Sequence, residues 1–216
     1  MLLERKINLS KLLCCVIGLG FFCSALTYAQ EIDCHQKKNA TLKTLCSSSF
    51  KQQRQQLETQ SLTAYLVTDA PLRLLQDTHQ LWFRHIQQCK SLSCYQQQVN
   101  DRIDQLNLFT SLNQSLTQHY LKYEQGQISK DPIHIQIHQL TKDNIKIEGI
   151  TYLNPNNKID KQTRSLLAYS TIENKNQIID NEKGCQYRFN YHKAYLAIHS
   201  KQKGCEAFIG LYRLYD

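Results

Sequence analysis

Nine cysteines, three within a basic, apolar leader and six behind it, constrain this chain more than any other feature of its sequence. Arg5, Lys6 and Lys11 form a basic start, and Leu12 to Leu26 form an apolar run. Thr27-Tyr28-Ala29 then offers small residues at the outer and inner positions of a cleavage site before Gln30, so residues 1–29 read as a secretory signal peptide. The run falls short of the roughly 20 residues that a spanning helix needs, so removal is expected and no membrane span should follow it. Cys14, Cys15 and Cys23 leave with the signal. Cys34, Cys46, Cys89, Cys94, Cys185 and Cys205 remain, and an even number in an exported chain favours disulfides over metal ligands or a nucleophile. Local spacing pairs Cys34 with Cys46, Cys89 with Cys94, and Cys185 with Cys205. The compartment expected is the periplasm or the exterior.

Apolar periodicity organises the first half of the mature chain. Leu74, Leu75, Leu81, Trp82, Ile86 and Cys89 recur at helical steps, and Tyr95, Val99, Ile103, Leu106, Phe109, Leu112, Leu116 and Tyr120 predict a second, longer helix. A bond between Cys89 and Cys94 requires the chain to turn between them, because residues five apart on one helix point too differently to be bridged. Ser91 or Ser93 can cap the helix that follows. Upstream, Ser47, Ser48 and Ser49 supply capping hydroxyls for a helix containing Phe50, Leu57, Leu62, Tyr65 and Leu66, whose glutamines form a solvated face. Pro71 ends or kinks that helix. Trp82, the only tryptophan, is expected as a buried anchor between the two hairpin helices.

From Asp131-Pro132 onward the period becomes two. Ile133, Ile135 and Ile137 alternate with His134, Gln136 and His138, predicting a half-buried strand with the histidines in solvent. Ile145 and Ile147 alternate likewise, with Gly149 marking a bulge. Asn154-Pro155-Asn156-Asn157 is a turn, and the segment 164–172 a weaker strand with Leu167, Tyr169 and Thr171 on its apolar side. Tyr187, Phe189 and Tyr191 alternate with polar residues in the clearest strand, and a turn at Lys203-Gly204 precedes the last. Cys185 and Cys205 tie neighbouring strands or lock the sheet's edge. Five or six antiparallel strands imply a small barrel or curled sheet. The fold class expected is therefore α+β: a disulfide-stapled helical domain over residues 30–128, then a small antiparallel β domain over 129–216.

Catalytic patterns do not emerge. The sequence has no Gly-x-Ser-x-Gly elbow, no His-Glu-x-x-His helix and no phosphate-cradling glycine loop. His134 and His138 on a strand stand roughly 13 Å apart at about 3.3 Å per residue, too far to share one ion. Asp101 and Asp104 beside Arg102 read as exposed carboxylates complementing a helix dipole. No catalytic, cofactor-binding or metal-ligating residue is assigned. The formal charge of +8 is spread over both halves without a Lys/Arg block, which disfavours nucleic acid and suggests attraction to anionic envelope polymers or lipid surfaces.

Cys34 and Cys46, Trp82 and Cys89, then Cys94, and Arg102-Ile103-x-x-Leu106 together resemble the N-terminal helical domain of the LprI-type lysozyme-inhibitor family, over about residues 31–110. The resemblance implies an exported bacterial protein of short helices with two cysteine pairs, and inhibition of lysozyme. Combined with the lack of catalytic patterns, it suggests a binding protein, not an enzyme, that occludes a lysozyme or similar peptidoglycan-cleaving hydrolase. The alternative is an envelope interaction or toxin-immunity protein whose partner is a secreted protein, peptidoglycan or another wall component. Peptide mapping of the non-reduced protein should recover the three cysteine pairs above, and any free thiol among these six would contradict the scheme.

Overall fold

A computed structural model describes residues 32–35, 39–110, 116–156 and 165–216; the expected signal segment 1–29 and Leu112 lie outside them. The Asn39 side chain accepts the Leu42 N–H at 2.8 Å and so caps α1 (Ala40–Leu45), which ends at Cys46. A 3₁₀ turn, Ser48–Phe50, leads into α2 (Lys51–Val67). The serines do not cap it: Ser47 Oγ donates backward to Thr44 O at 2.7 Å, and neither element has a side-chain cap. Leu57 and Ala64, two turns apart, are the buried stripe of α2. Leu62 and Leu66 lie on nearly the opposite side and are 61% and 71% exposed, contrary to expectation.

The hairpin forms as its spacing demands. Pro71 precedes α3 (Leu72–Ile86), whose buried face carries Leu74, Leu75, Leu81, Trp82 and Ile86. The chain turns after Gln87, and Ser91 accepts the Cys94 N–H at 3.2 Å to cap α4 (Leu92–Phe109). This helix buries Tyr95, Val99, Ile103, Leu106 and Phe109. It does not continue to Tyr120. Leu116 is half exposed and Tyr120 lies within β1 (Thr117–Glu124), filling the sheet's core. A spacing of four keeps two residues on one face of a helix and also on one face of a strand, so apolar positions alone did not separate the two. The sheet thus begins at Thr117, ahead of residue 129 where the β domain was expected.

Nine antiparallel strands follow among the described residues, more than the five or six foreseen: β1, β2 (Gln127–Ile128), β3 (Ile133–Gln139), β4 (Asn144–Thr151), β5 (Leu166–Thr171), β6 (Gln177–Ile179), β7 (Gln186–Tyr191), β8 (Tyr195–His199) and β9 (Gly210–Tyr215). Their order is β5-β4-β3-β1-β9-β8-β7-β6, with β2 folded back on β1. The sheet curls until its end strands meet. No ladder joins β5 to β6 among the described residues, yet the Asn181 N–H donates to Leu167 O at 2.8 Å and the Leu167 N–H to Asp180 Oδ1 at 3.3 Å. Inside the curl pack Tyr120, Ile135, Ile147, Ala168, Phe189, Ile198 and Tyr212. On β5 the buried residues are Leu166 and Ala168, while Tyr169 is 55% exposed, so the inward face is the opposite of the one expected.

Helices cover the outer face of β1, β3 and β9, so the helical core also takes in Leu121 and Tyr215. The Tyr215 hydroxyl donates to Asp77 Oδ2 at 2.6 Å, and Gln105 Nε2 donates to the Tyr152 hydroxyl oxygen at 2.7 Å, joining the two layers. His134 and Gln136 are buried under this cover instead of solvated. Gly149 is not a bulge, since the β3–β4 register runs through it unbroken from Ile133↔Thr151 to Gln139↔Ile145. A Cβ there would stand 2.7 Å from the Phe208 ring and 3.0 Å from Leu166 Cβ, so the space is what excludes a side chain. Gly149→Ala should therefore destabilise the protein by about 1–3 kcal/mol through overpacking, read from urea denaturation.

Candidate functional site

All but Cys185 and Cys205 of the residues singled out by spacing lie in the helical layer. Cys34 is bonded to Cys46, Cys89 to Cys94 and Cys185 to Cys205. The first two clamp α1 to its approach and close the α3–α4 turn. The third joins the start of β7 to the loop that follows β8, two strands that pair directly. Trp82 is buried, and its indole N–H donates to Gln98 O at 2.8 Å, crossing from α3 to α4. Ile103 and Leu106 lie in the same core. Because α4 begins at Leu92, Asp101 and Asp104 sit in its second half, exposed and too far from its N-terminus to complement the dipole.

Arg102 occupies the junction between the layers. It is 2% exposed, and its guanidinium donates from Nη1 to Thr78 Oγ1 at 3.2 Å and to Gln105 Oε1, and from Nη2 to Leu75 O at 3.4 Å. All three acceptors are neutral. Arg102 takes part in no ion pair among the described residues, and its Nε has no partner there. Burial lowers its pKa to about 10, still leaving the cation at neutral pH.

Two histidines share this region. His119 Nδ1 lies 3.1 Å from His134 Nε2, one ring donating and the other accepting, and the rings pack at 5.3 Å between centroids. Neither outer nitrogen, His119 Nε2 or His134 Nδ1, has a partner among the described residues. Burial, then the charge of His138, lowers the His119 pKa to about 4. Burial, then His119 and Arg102, holds His134 well below 6.5. Sequence reasoning missed this pair because His119 fell inside the expected helix and His134 on the face expected to be wet. No group of three metal-ligating side chains occurs among the described residues. Beside the junction, a cavity of about 390 Å³ opens between α4 and the end of β4, walled by Trp82, Arg102, Leu108 and Tyr152.

A larger, open trough of about 1580 Å³ lies where β5 and β6 run side by side. Neutral polar groups line it, among them Ser170 and Thr171 from β5, Gln177 from β6, and Gln186 and Asn190 from β7, beside apolar wall from Leu140, Ile145 and Ile179. Tyr169 offers an exposed ring, and Arg188 and Lys201 add positive charge. No carboxylate lines it among the described residues. Tyr187 and Phe189 instead point into the sheet's core, as their alternation implied.

Both buried histidines have depressed values, so the neutral pair contributes stability that is fully present above about pH 6.5, the unfolded value. That stability is lost as pH falls toward 4 and the unfolded chain takes up more protons. For His119 alone the loss across this window should reach about 3 kcal/mol, and His119→Asn should flatten the pH dependence of urea midpoints between 7 and 4. Comparisons with protein-family models, with curated proteins and with solved structures found no match for this chain.

Proposed function

We propose that this chain is an exported, non-catalytic binding protein of the cell envelope, and that its trough holds wall glycan. The observation that carries the reading is the trough's chemistry. Amide and hydroxyl side chains exchange hydrogen bonds with sugar hydroxyls, an exposed tyrosine ring stacks on a pyranose face, and Arg188 and Lys201 attract the carboxylates of peptidoglycan. Export is supported by the leader pattern and by three disulfides, which persist in oxidising compartments. No described helix is long and apolar enough to cross a membrane.

Inhibition of a lysozyme-type hydrolase is the second reading. It rests on the resemblance to the LprI-type family, and it is favoured by the way Trp82, Ile103, Leu106 and the Cys89–Cys94 bond gather in one core. A basic trough suits an anionic wall polymer better than a basic enzyme of the animal lysozyme type, since like charges slow encounter. Masking of substrate and occlusion of enzyme then separate experimentally.

Co-sedimentation with insoluble peptidoglycan should pull the oxidised protein into the pellet, with release by salt. Tyr169→Ala combined with Arg188→Gln should weaken this binding at least tenfold, the loss of about one stacked ring and one charged hydrogen bond. Protein left wholly in the supernatant would dispose of the glycan reading. In a turbidity assay of wall lysis, protection that disappears in the double variant indicates masked substrate, and protection that survives indicates contact with the enzyme. Undiminished lysis by every hydrolase tried would remove the inhibitor reading.

A further inference from the structure

The cavity between α4 and the end of β4 is separate from the trough, and its volume of about 390 Å³ falls within the range of small-molecule sites. Arg102 forms part of its wall as a buried cation whose hydrogen bonds all go to neutral oxygens. The edge of a guanidinium formed by Nε and Nη2 is one of the two on which a carboxylate is held by paired, parallel hydrogen bonds. On Arg102 that edge has no partner at Nε among the described residues, and only the long 3.4 Å contact to Leu75 O at Nη2. Among the described residues this cation has no counter-charge, and burying a cation in that way costs several kcal/mol.

Negative charge instead stands at the rim. Asp104 is exposed and in no ion pair among the described residues, and Asp101, one turn earlier on α4, accepts a hydrogen bond from Gln98 Nε2 at 3.3 Å. A simple anion would gain Arg102 but meet the rim carboxylates, whereas a simple cation would gain the rim but meet Arg102. A small molecule carrying both charges is attracted by both. Trp82 and Leu108 provide apolar wall.

We propose that this cavity binds a free amino acid or a dipeptide by its charged main-chain ends, the carboxylate at Arg102 and the ammonium toward Asp104, with the side chain against Trp82 and Leu108. Isothermal titration of the oxidised protein with L- and D-alanine, L-phenylalanine, L-lysine and alanyl-alanine tests it, each beside its methyl ester and its N-acetyl derivative. At least one of the zwitterions should bind saturably, and its ester and N-acetyl forms at least tenfold more weakly. Leu108→Trp, at an exposed position on the cavity wall, should weaken binding at least tenfold without lowering the melting temperature, and Asp104→Asn should weaken the zwitterion more than its N-acetyl form. Absence of binding by the whole panel, an ester that binds as tightly as its acid, or binding unchanged by Leu108→Trp would overturn the proposal. Glycan sedimentation is independent of all three results.

Discussion

A desolvated arginine between two layers is the constraint on which much else in this structure depends. Arg102 brings a full positive charge to a place that is almost wholly shielded from bulk water, a position that is costly unless hydrogen-bond acceptors are brought to bear. Thr78 and the Leu75 carbonyl come from α3, and Gln105 from α4 itself. Gln105 in turn donates to Tyr152, at the end of β4. One side chain thereby links the two helices of the hairpin to each other and, through Gln105 and Tyr152, to the end of β4. The neutrality of His119 and His134 belongs to the same arrangement, since a second cation beside Arg102 would raise its cost further.

Each disulfide bond has at least one end in a turn or loop. The Cys34–Cys46 bond encloses a short segment that contains the six-residue α1, and in the chain-entropy model a loop of that size stabilises the fold by roughly 3 kcal/mol. Cys89–Cys94 closes the turn that gives α3 and α4 their antiparallel course. In the sheet, Cys185–Cys205 holds the loop after β8 against the start of β7, close to where the curl ends. There the Asp180 carboxylate replaces a missing strand ladder, its Oδ1 accepting from the Leu167 and Glu182 backbone N–H groups. The seam it bridges is the one that opens into the trough, so an incomplete barrel and an accessible polar surface arise from the same departure of β6 from β5.

The hairpin was legible because its evidence is local: apolar residues at helical steps, a serine at the N-cap of α4, and two cysteines whose separation excludes an uninterrupted helix. The alternating isoleucines of β3 and the aromatic residues of β7 were legible for a similar reason, since period two has few rivals over six residues. Leu116 and Tyr120 misled because their spacing suits a strand as well as a helix. His134 misled because alternation separates two faces without saying what covers the second. Nothing within β3 indicates that α4 lies over it, and the same ignorance turned the inward and outward faces of β5 around. Gly149 was read as a bulge when its role is to admit Phe208 from nearly sixty residues away.

The order of residues by itself determined the cysteine pairs, the α+β class, the burial of Trp82 and the strands of strongest alternation, because each follows from interactions among neighbours along the chain. Only the tertiary structure decided that Arg102 has no carboxylate partner among the described residues, that His119 and His134 meet, and that a trough opens between β5 and β6. These depend on which surfaces come together across long separations. A charge or a hydrogen bond takes its energy from the groups and the solvent around it, and the spacing of residues in a sequence does not specify that surrounding.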